Sequence, residues 1–277
     1  DYKKSIDSIF LNFNNSLSTY DPNSIISRVN KNDSLVVLDD YFVEAFEIAK
    51  KIHLETDGYF DPTIGRLINA YGFGSGNEIK NLGSKEIQRL LNITGFDKVI
   101  LRDRSLDKSR EIELNVNAFA KGLGIDMVGR FLESKNVFNY LIEIGGEIRA
   151  RGKKSTGKLW KVGLDDPNSD GTRSSSRIIS LDNQSMATSG NYRKFKVNEK
   201  GKKIVHTVNP KTGLAQENNL LSVSVISKGD CANVDAYATA FLAMGLEKTK
   251  SFLEVRSDLK VVLLFANKKG EIEEFNN

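Results

Sequence analysis

Apolar side chains return every three or four residues in six stretches of the chain, and this spacing predicts helices with one buried face. Asp39 and Asp40 precede one of these stretches, where a carboxylate can cap the first free N–H groups of a helix. Gly245 follows another, and glycine commonly ends helices. The predicted helices cover residues 3–17, 40–56, 84–91, 117–135, 233–244 and 248–255.

Shorter apolar runs predict strands. Leu221–Ile226 alternates as a half-buried strand does, and a strand over 139–144 is expected to end at Gly145. Residues 99–101 and 111–115 are predicted to pair with each other. Helices and strands mix without a regular βαβ order, so the predicted fold is α+β, with mixed, largely antiparallel sheets and packed helices. No linker divides the chain, and we expect residues 1–277 to form a single domain.

Composition limits the chemistry of any site. The chain of 277 residues has one cysteine, Cys231, and two histidines, His53 and His206. These counts exclude a disulfide framework, a Cys-based zinc site and a multi-histidine metal centre. A bound metal must therefore have oxygen ligands, which favours magnesium or calcium. The net charge of +4 is spread along the chain and does not indicate a nucleic acid partner.

The sequence shows no run of about 18 apolar residues and no secretory signal. It begins at Asp1 without methionine. We therefore expect a trimmed or mature form, to which an export signal or lipid anchor could have belonged.

Residues 115–126 combine Lys121 with Gly122 and Gly124 at a predicted strand-to-helix junction. Small residues let a backbone approach a ligand closely, and one lysine supplies a cation, so the segment suits a phosphate group. It matches neither a Walker loop nor a dinucleotide fingerprint. A helix whose small residues allow tight packing explains the segment equally well.

Asp235 and Thr239 are four residues apart on a predicted helix and share a face. A carboxylate and a hydroxyl form a partial magnesium shell that leaves positions for phosphate or water. The alternative is an aspartate that interacts with the helix dipole, beside a packed threonine.

Two further segments contain polar residues next to turns. His206 precedes the turn at Asn209–Pro210, although a lone histidine is more often packed or solvated than catalytic. Residues 188–192 are predicted to belong to the same site. The loop of residues 71–74 offers aromatic contact for a flat ring, but such loops are more often structural.

Motifs along nearly the whole chain resemble the FAD:protein FMN transferases, the ApbE-type family once called thiamine-biosynthesis lipoproteins. Each motif is weak alone, whereas their common order is specific. The matching segments are residues 18–30, Asp57-Gly-Tyr-Phe-Asp-Pro-Thr63, Tyr71-Gly-Phe-Gly74, Ala120-Lys-Gly122, Ile144-Gly-Gly146, Ala187-Thr-Ser-Gly190, His206-Thr-Val-Asn-Pro210 and residues 238–245.

The resemblance implies an enzyme that moves FMN from FAD onto a threonine or serine of a partner flavoprotein, releases AMP and needs Mg²⁺. Asp235 and Thr239 match the family's side-chain metal ligands, and Ala118 matches a further contact through its carbonyl. His206 matches an acid–base helper near the pyrophosphate, and Lys121 a phosphate contact. The positions that match flavin-nucleotide contacts are Tyr20, Tyr59, Phe60, Asp61, Asn115, Lys121 and Val208.

Three positions depart from the family pattern: Asn115 and Asn209 replace aspartates, and Ala238 stands where some members have another carboxylate. A less anionic site predicts weaker metal binding, or a metal shell in which water replaces more of the protein oxygens. Two alternatives stay open: an Mg²⁺-dependent FAD pyrophosphatase that gives FMN and AMP, and a non-catalytic FAD-binding protein. Family members are usually lipid-tethered, so we expect export to the outer face of the cytoplasmic membrane or the periplasm.

Overall fold

The computed structural model describes residues 1–165, 175–191, 195–197, 201, 203–215 and 219–277, without the side chains of 165, 175 and 176. Its contacts divide the chain into two compact units. The first comprises Asp1–Ala120 and Lys196–Gln216, and the second Lys121–Phe195 and Glu217–Asn277. The expectation of a single domain stays a prediction.

The predicted helices are all present, with bounds that differ by up to three residues. Asp39 caps one of them, because its carboxylate accepts a hydrogen bond from the Phe42 N–H at 2.9 Å. The helices are α1 Lys3–Leu17, α2 Ile25–Asn30, α3 Asp40–Glu55, α4 Gly65–Ala70, α5 Ser84–Asn92, α6 Ala120–Ser134, α7 Cys231–Met244 and α8 Leu246–Leu253.

The described strands form one six-stranded sheet and three two-stranded sheets. Together with the helices they confirm the predicted α+β class, and every strand pairing with a known register is antiparallel. The strands are β1 Val99–Arg102, β2 Ser105–Lys108, β3 Tyr140–Ile144, β4 Glu147–Arg151, β5 Trp160–Asp165, β6 Ser175–Leu181, β7 Ser185–Gly190, β8 Phe195–Val197, β9 Lys203–Val205, β10 Leu220–Ser227, β11 Lys260–Ala266 and β12 Ile272–Asn276.

The first unit contains α1 to α5 and the β1–β2 hairpin. Its late segment joins the early one through a hydrophobic cluster in which Val208 and Ala215 pack with Leu67, Ala70 and Leu90. The Tyr71 hydroxyl also donates a hydrogen bond to the Gly213 carbonyl at 3.0 Å. Residues far apart in sequence thus complete one core.

The second unit is built on the six-stranded sheet, whose order is β12-β11-β10-β7-β4-β3. Helix α7 packs against β7, β10 and β4. A separate hydrophobic cluster joins Ile148 and Met186 of the sheet to Val162 and Leu181 of the β5–β6 pair. The sheet therefore supports α7, which carries Asp235 and Thr239.

The predicted pairing of 99–101 with 111–115 is wrong. Strand β1 pairs instead with β2 across a tight turn in which Asp103 has a φ of 50°. Ile112 and Leu114 are buried as the alternation predicts, but this segment makes only an isolated bridge, between Glu113 and Ile64. Apolar alternation predicted the buried face correctly, although it does not specify a partner strand.

Among the described residues, no helix combines the length and apolar character needed to cross a bilayer. Residues 166–174 and 192–194 lie outside the described part, so the prediction for Tyr192 is not addressed.

Candidate active site

The second unit brings three charged side chains to one place. Lys121 lies in the first turn of α6, Glu147 begins β4, and Asp235 lies in the first turns of α7. The Lys121 Nζ is 2.5 Å from Glu147 Oε2. The Gly122 N–H donates a hydrogen bond to Asp235 Oδ2 at 3.1 Å. The predicted lysine thus pairs with Glu147, and the next residue of the same helix turn, Gly122, binds the predicted aspartate.

Both carboxylates of this group are buried: Glu147 is 2% exposed and Asp235 is 3% exposed. Burial raises the pKa of Asp235 well above its ordinary value, and the nearby charge of Glu147 raises it further. The Lys121 cation and the Gly122 hydrogen bond act in the opposite direction. A cation bound beside these carboxylates would favour their charged forms.

Gly122 is required for the close approach of α6 to α7. A Cβ atom at this position would lie 2.6 Å from the Cys231 carbonyl oxygen and 2.8 Å from the Ala232 Cα. Any larger residue would push the two helices apart and lengthen the bond from Gly122 to Asp235.

Thr239 lies one turn after Asp235 on α7, as predicted. Its Oγ1 is 3.3 Å from the Oγ of Ser189 on β7. Ser189 belongs to the predicted segment 188–192, so the sheet brings that segment to the Thr239 side of α7. The hydroxyl groups add neutral oxygens beside the buried carboxylates.

This donor set fits Mg²⁺, which prefers oxygen ligands and keeps positions for water and substrate phosphate. Among the described residues, no group of three or more His, Cys, Asp or Glu side chains is arranged to hold a metal. Asp235 and Thr239 stay the predicted side-chain ligands of Mg²⁺, and Glu147 is a further carboxylate close to Lys121. The predicted carbonyl ligand, Ala118, belongs to the first unit, and its role stays a prediction.

In the first unit, Asp61 is buried at the end of the predicted Asp-Gly-Tyr-Phe-Asp-Pro-Thr motif. Its Oδ1 accepts hydrogen bonds from the Thr63 N–H at 2.8 Å and the Thr63 hydroxyl at 2.5 Å. Burial raises the pKa of Asp61, although the Thr63 hydrogen bonds and the His53 charge oppose the rise. His53 Nδ1 lies 2.9 Å from the Phe60 carbonyl oxygen and 3.8 Å from Asp61 Oδ2.

Asp61 and His53 line a cavity of about 280 Å³ in the first unit. Lys211 also lines it, and its Nζ lies 5.8 Å from the Tyr59 ring centroid and 3.5 Å from Asp57 Oδ2. The cavity is thus lined by a cation and by carboxylates, and the Tyr59 ring lies near the cation.

The other predicted flavin contacts in the first unit differ in exposure. Tyr20 is 64% exposed, whereas Phe60 and Val208 are each 3% exposed, so ligand contacts from the last two would come mainly from their backbones. The Asn115 N–H donates to the Pro62 carbonyl at 2.7 Å, which places Asn115 beside the Asp61 motif. All these roles stay predictions.

His206 follows β9, and its ring makes an edge contact with Phe73 at a centroid distance of 6.4 Å. Phe73 lies in the glycine-rich loop, and Lys196 sits over its ring at 5.4 Å while also pairing with Glu78 at 2.8 Å. The aromatic loop therefore supports His206, which agrees with the structural alternative for that loop.

The structure describes the local contacts of the three residues that depart from the family pattern. Asn115 Oδ1 accepts from the Asn117 N–H, and Asn209 Oδ1 accepts from the N–H groups of Lys211 and Thr212. Ala238 is fully buried in α7. The two asparagines thus shape turns, and the predicted loss of metal affinity stays untested.

Sequence reasoning missed Glu147 and His53 as members of these groups, whereas Ser189 lies in the predicted segment 188–192. Glu147 could have been found, because it is the charged residue that directly follows Gly145–Gly146 at the start of a strand with a buried pattern. His53 gave no such indication, since it lies in the last turn of an ordinary amphipathic helix.

Comparison with known proteins decides the family. A family model described as ApbE family matches residues 2–263. The chain belongs to the ApbE family. It is similar to the FAD:protein FMN transferase of Haemophilus influenzae, with 31% identity over 275 residues that cover 96% of this chain and 78% of the relative. The FAD:protein FMN transferase of Vibrio cholerae is 30% identical, with coverage of 96% and 79%.

Solved structures of ApbE proteins share the fold. Flavin Transferase ApbE from Vibrio cholerae has a TM-score of 0.87 and 29% identity, covering 99% of this chain and 87% of the other. The apo form of Pseudomonas stutzeri flavinyl transferase ApbE has a TM-score of 0.86 and 26% identity, with coverage of 99% and 85%. The resemblance to the ApbE family found in the sequence is confirmed.

Proposed function

We propose that this ApbE-family chain transfers FMN from FAD to a threonine or serine hydroxyl of an acceptor protein, releases AMP and depends on Mg²⁺. The transferase activity follows from the family, because the relatives above that match most of the chain are named FAD:protein FMN transferases. The magnesium dependence and the residue roles are our own inference from the geometry.

The observation that carries this inference is the buried group of Lys121, Glu147 and Asp235. Two carboxylates excluded from water favour binding of a nearby cation, and the FAD diphosphate would offer further oxygen ligands to Mg²⁺. When bound, Mg²⁺ would neutralise the charge of the diphosphate and stabilise the charge that develops during phosphoryl transfer.

The chemical step exchanges one P–O bond for another. The acceptor hydroxyl oxygen bonds to the FMN phosphorus, the bond from that phosphorus to the bridging oxygen breaks, and AMP leaves with the oxygen. Lys121 would stabilise the negative charge on the phosphate oxygens. His206 is proposed to take the hydroxyl proton, which matches its implied acid–base role.

A direct assay separates this function from its two alternatives. The protein is incubated with FAD and Mg²⁺, with and without an acceptor flavoprotein, and AMP, free FMN and protein-bound flavin are measured. Protein-bound flavin with equal AMP, formed only with acceptor, supports transfer. Free FMN with AMP supports a pyrophosphatase, and bound FAD without AMP supports a carrier.

The proposed location is the outer face of the cytoplasmic membrane or the periplasm, with a lipid anchor. Its support is the family resemblance, because family members are usually exported and lipid-tethered. Fractionation of the native organism's membranes, followed by protease treatment of cells with an opened outer envelope and a closed cytoplasmic membrane, tests it. Protection of the protein until the cytoplasmic membrane is lysed would contradict the proposal.

A further inference from the structure

The second unit contains a second polar cluster besides the charged group formed by Lys121, Glu147 and Asp235. Its centre is Arg149 of β4, which is 5% exposed. Its Nη1 donates to Asp126 Oδ1 at 2.6 Å and to Asp230 Oδ1 at 2.7 Å. Its Nε donates to the Tyr140 hydroxyl at 3.0 Å, and its Nη2 to Glu133 Oε1 at 3.2 Å.

Asp126 extends this cluster to the start of α7. Its two oxygens accept hydrogen bonds from the Cys231 N–H at 2.9 Å and the Ala232 N–H at 2.8 Å. Gly129 leaves room for the arginine, because a Cβ there would lie 2.9 Å from Arg149 Nε. The pair of Arg149 and Asp126 therefore joins α6, β4 and α7.

The same three elements carry Lys121, Glu147 and Asp235. Arg149 comes two residues after Glu147 in β4, so the two side chains lie on one face of the sheet. Cys231 comes four residues before Asp235, which is about one turn of α7. Asp126 follows Lys121 by five residues in α6. Arg149, Asp126 and the Cys231 backbone thus lie two to five residues from Glu147, Lys121 and Asp235, respectively.

We propose that Arg149 and Asp126 are positioning residues that set the spacing of Lys121, Glu147 and Asp235 for binding of the metal and diphosphate. This inference rests on the proposed function. The guanidinium suits the role because its planar fork bonds several acceptors in fixed directions, whereas a lysine acts as a point charge.

The test compares Arg149→Lys with a matched control, Arg256→Lys. Arg256 also contacts α7, since it donates to the Tyr237 hydroxyl at 2.9 Å and pairs with Asp258 at 2.8 Å. Two quantities are measured well below the melting temperature: the Mg²⁺ concentration for half-maximal transfer, and the hydrogen-exchange rate of the Gly122 amide without ligand.

For Arg149→Lys we expect the half-maximal Mg²⁺ concentration to rise about tenfold or more, as for loss of a residue that orients a metal ligand. We also expect faster exchange at Gly122, because its acceptor Asp235 moves. Arg256→Lys should change neither quantity. If Arg149→Lys does not fold, Asp230→Asn provides a milder test. Asp230 is half exposed, and its substitution removes one charged partner of Arg149.

Wild-type values of both quantities in folded Arg149→Lys or Asp230→Asn would overturn the proposal and leave the cluster with a stabilising role alone. Equal changes in Arg256→Lys would also overturn it. If the wild-type protein transfers no FMN, the proposed function fails, while the exchange rate at Gly122 still tests the positioning.

Discussion

At the scale of single residues, two aspartates lie in buried positions that disfavour the charged form of a carboxylate. Asp235 and Asp61 are both buried, and burial is the largest cause of the raised pKa of each. Proteins retain such groups mainly where the charge serves binding or catalysis, since an uncharged isostere would stabilise the fold. The two aspartates therefore give separate predictions.

Asp235→Asn keeps the shape of the side chain and one acceptor oxygen for the Gly122 N–H. We expect kcat/KM for FMN transfer to fall about 100-fold or more, because under the proposed function Mg²⁺ would lose a charged ligand that contributes several kcal/mol to the transition state. Without ligand, the melting temperature should stay equal or rise, since a buried charge is removed. Transfer at the wild-type rate would exclude Asp235 from the mechanism.

Asp61→Asn should change how stability depends on pH. A raised pKa in the folded state means that the stability contributed by Asp61 is fully present below its ordinary pKa of 3.8 and is lost as pH rises through the raised value. At pH 7 the asparagine variant should therefore be more stable than the wild type, and the difference should vanish near pH 4. Urea unfolding at both pH values measures this, and a less stable variant at pH 7 would contradict it.

At the scale of secondary-structure elements, the contact of α6 with α7 determines the geometry of the charged group. The helices themselves were predictable, because each shows a clear helical period or a cap in the sequence. Their contact was not, since it depends on Gly122 and on the Cys231 backbone, which are far apart in sequence. Strand pairing failed for a related reason: the alternation of Ile112 and Leu114 predicts burial without a partner.

Gly122→Ala tests this contact. The added methyl group would lie 2.6 Å from the Cys231 carbonyl oxygen, so the helices must separate. Overpacking of this kind costs about 1–3 kcal/mol, and we expect a comparable fall in the free energy of unfolding together with loss of transfer.

The control for this variant is Gly229→Ala, where the nearest atom to a new Cβ is Ser227 Oγ at 3.7 Å. Unfolding in urea and the transfer assay should show wild-type behaviour for the control. If Gly122→Ala matches the control in both measurements, the close helix contact does not determine the site.

At the scale of the whole molecule, FAD and Mg²⁺ should stabilise the protein more together than the sum of their separate effects. A ligand at 100 times its Kd stabilises the native state by about 2.7 kcal/mol, and the metal adds to FAD affinity only if both share the diphosphate. Calorimetric melting with FAD, Mg²⁺, both, and both with EDTA measures this. An FAD-induced shift that EDTA leaves unchanged would contradict a shared metal, and Asp235→Asn should lose the extra shift.

The family was predictable because its motifs occur in order along nearly the whole sequence. The fold class was predictable because helices and strands alternate without a regular βαβ order. The ion pair of Lys121 with Glu147 was not, because only the folded sheet brings β4 next to α6. Nor was the cluster around Arg149, since no local pattern distinguishes a buried arginine in a strand from an exposed one.

The discontinuous first unit has a consequence for biosynthesis. Val208 and Ala215 complete the core that Leu67, Ala70 and Leu90 begin, so this part of the protein stays unfinished until the ribosome has delivered both. Until then the nascent chain exposes apolar surface, a state that invites aggregation and chaperone binding. The first unit can therefore complete its core only after the ribosome has also made strands β3 to β7 of the second unit.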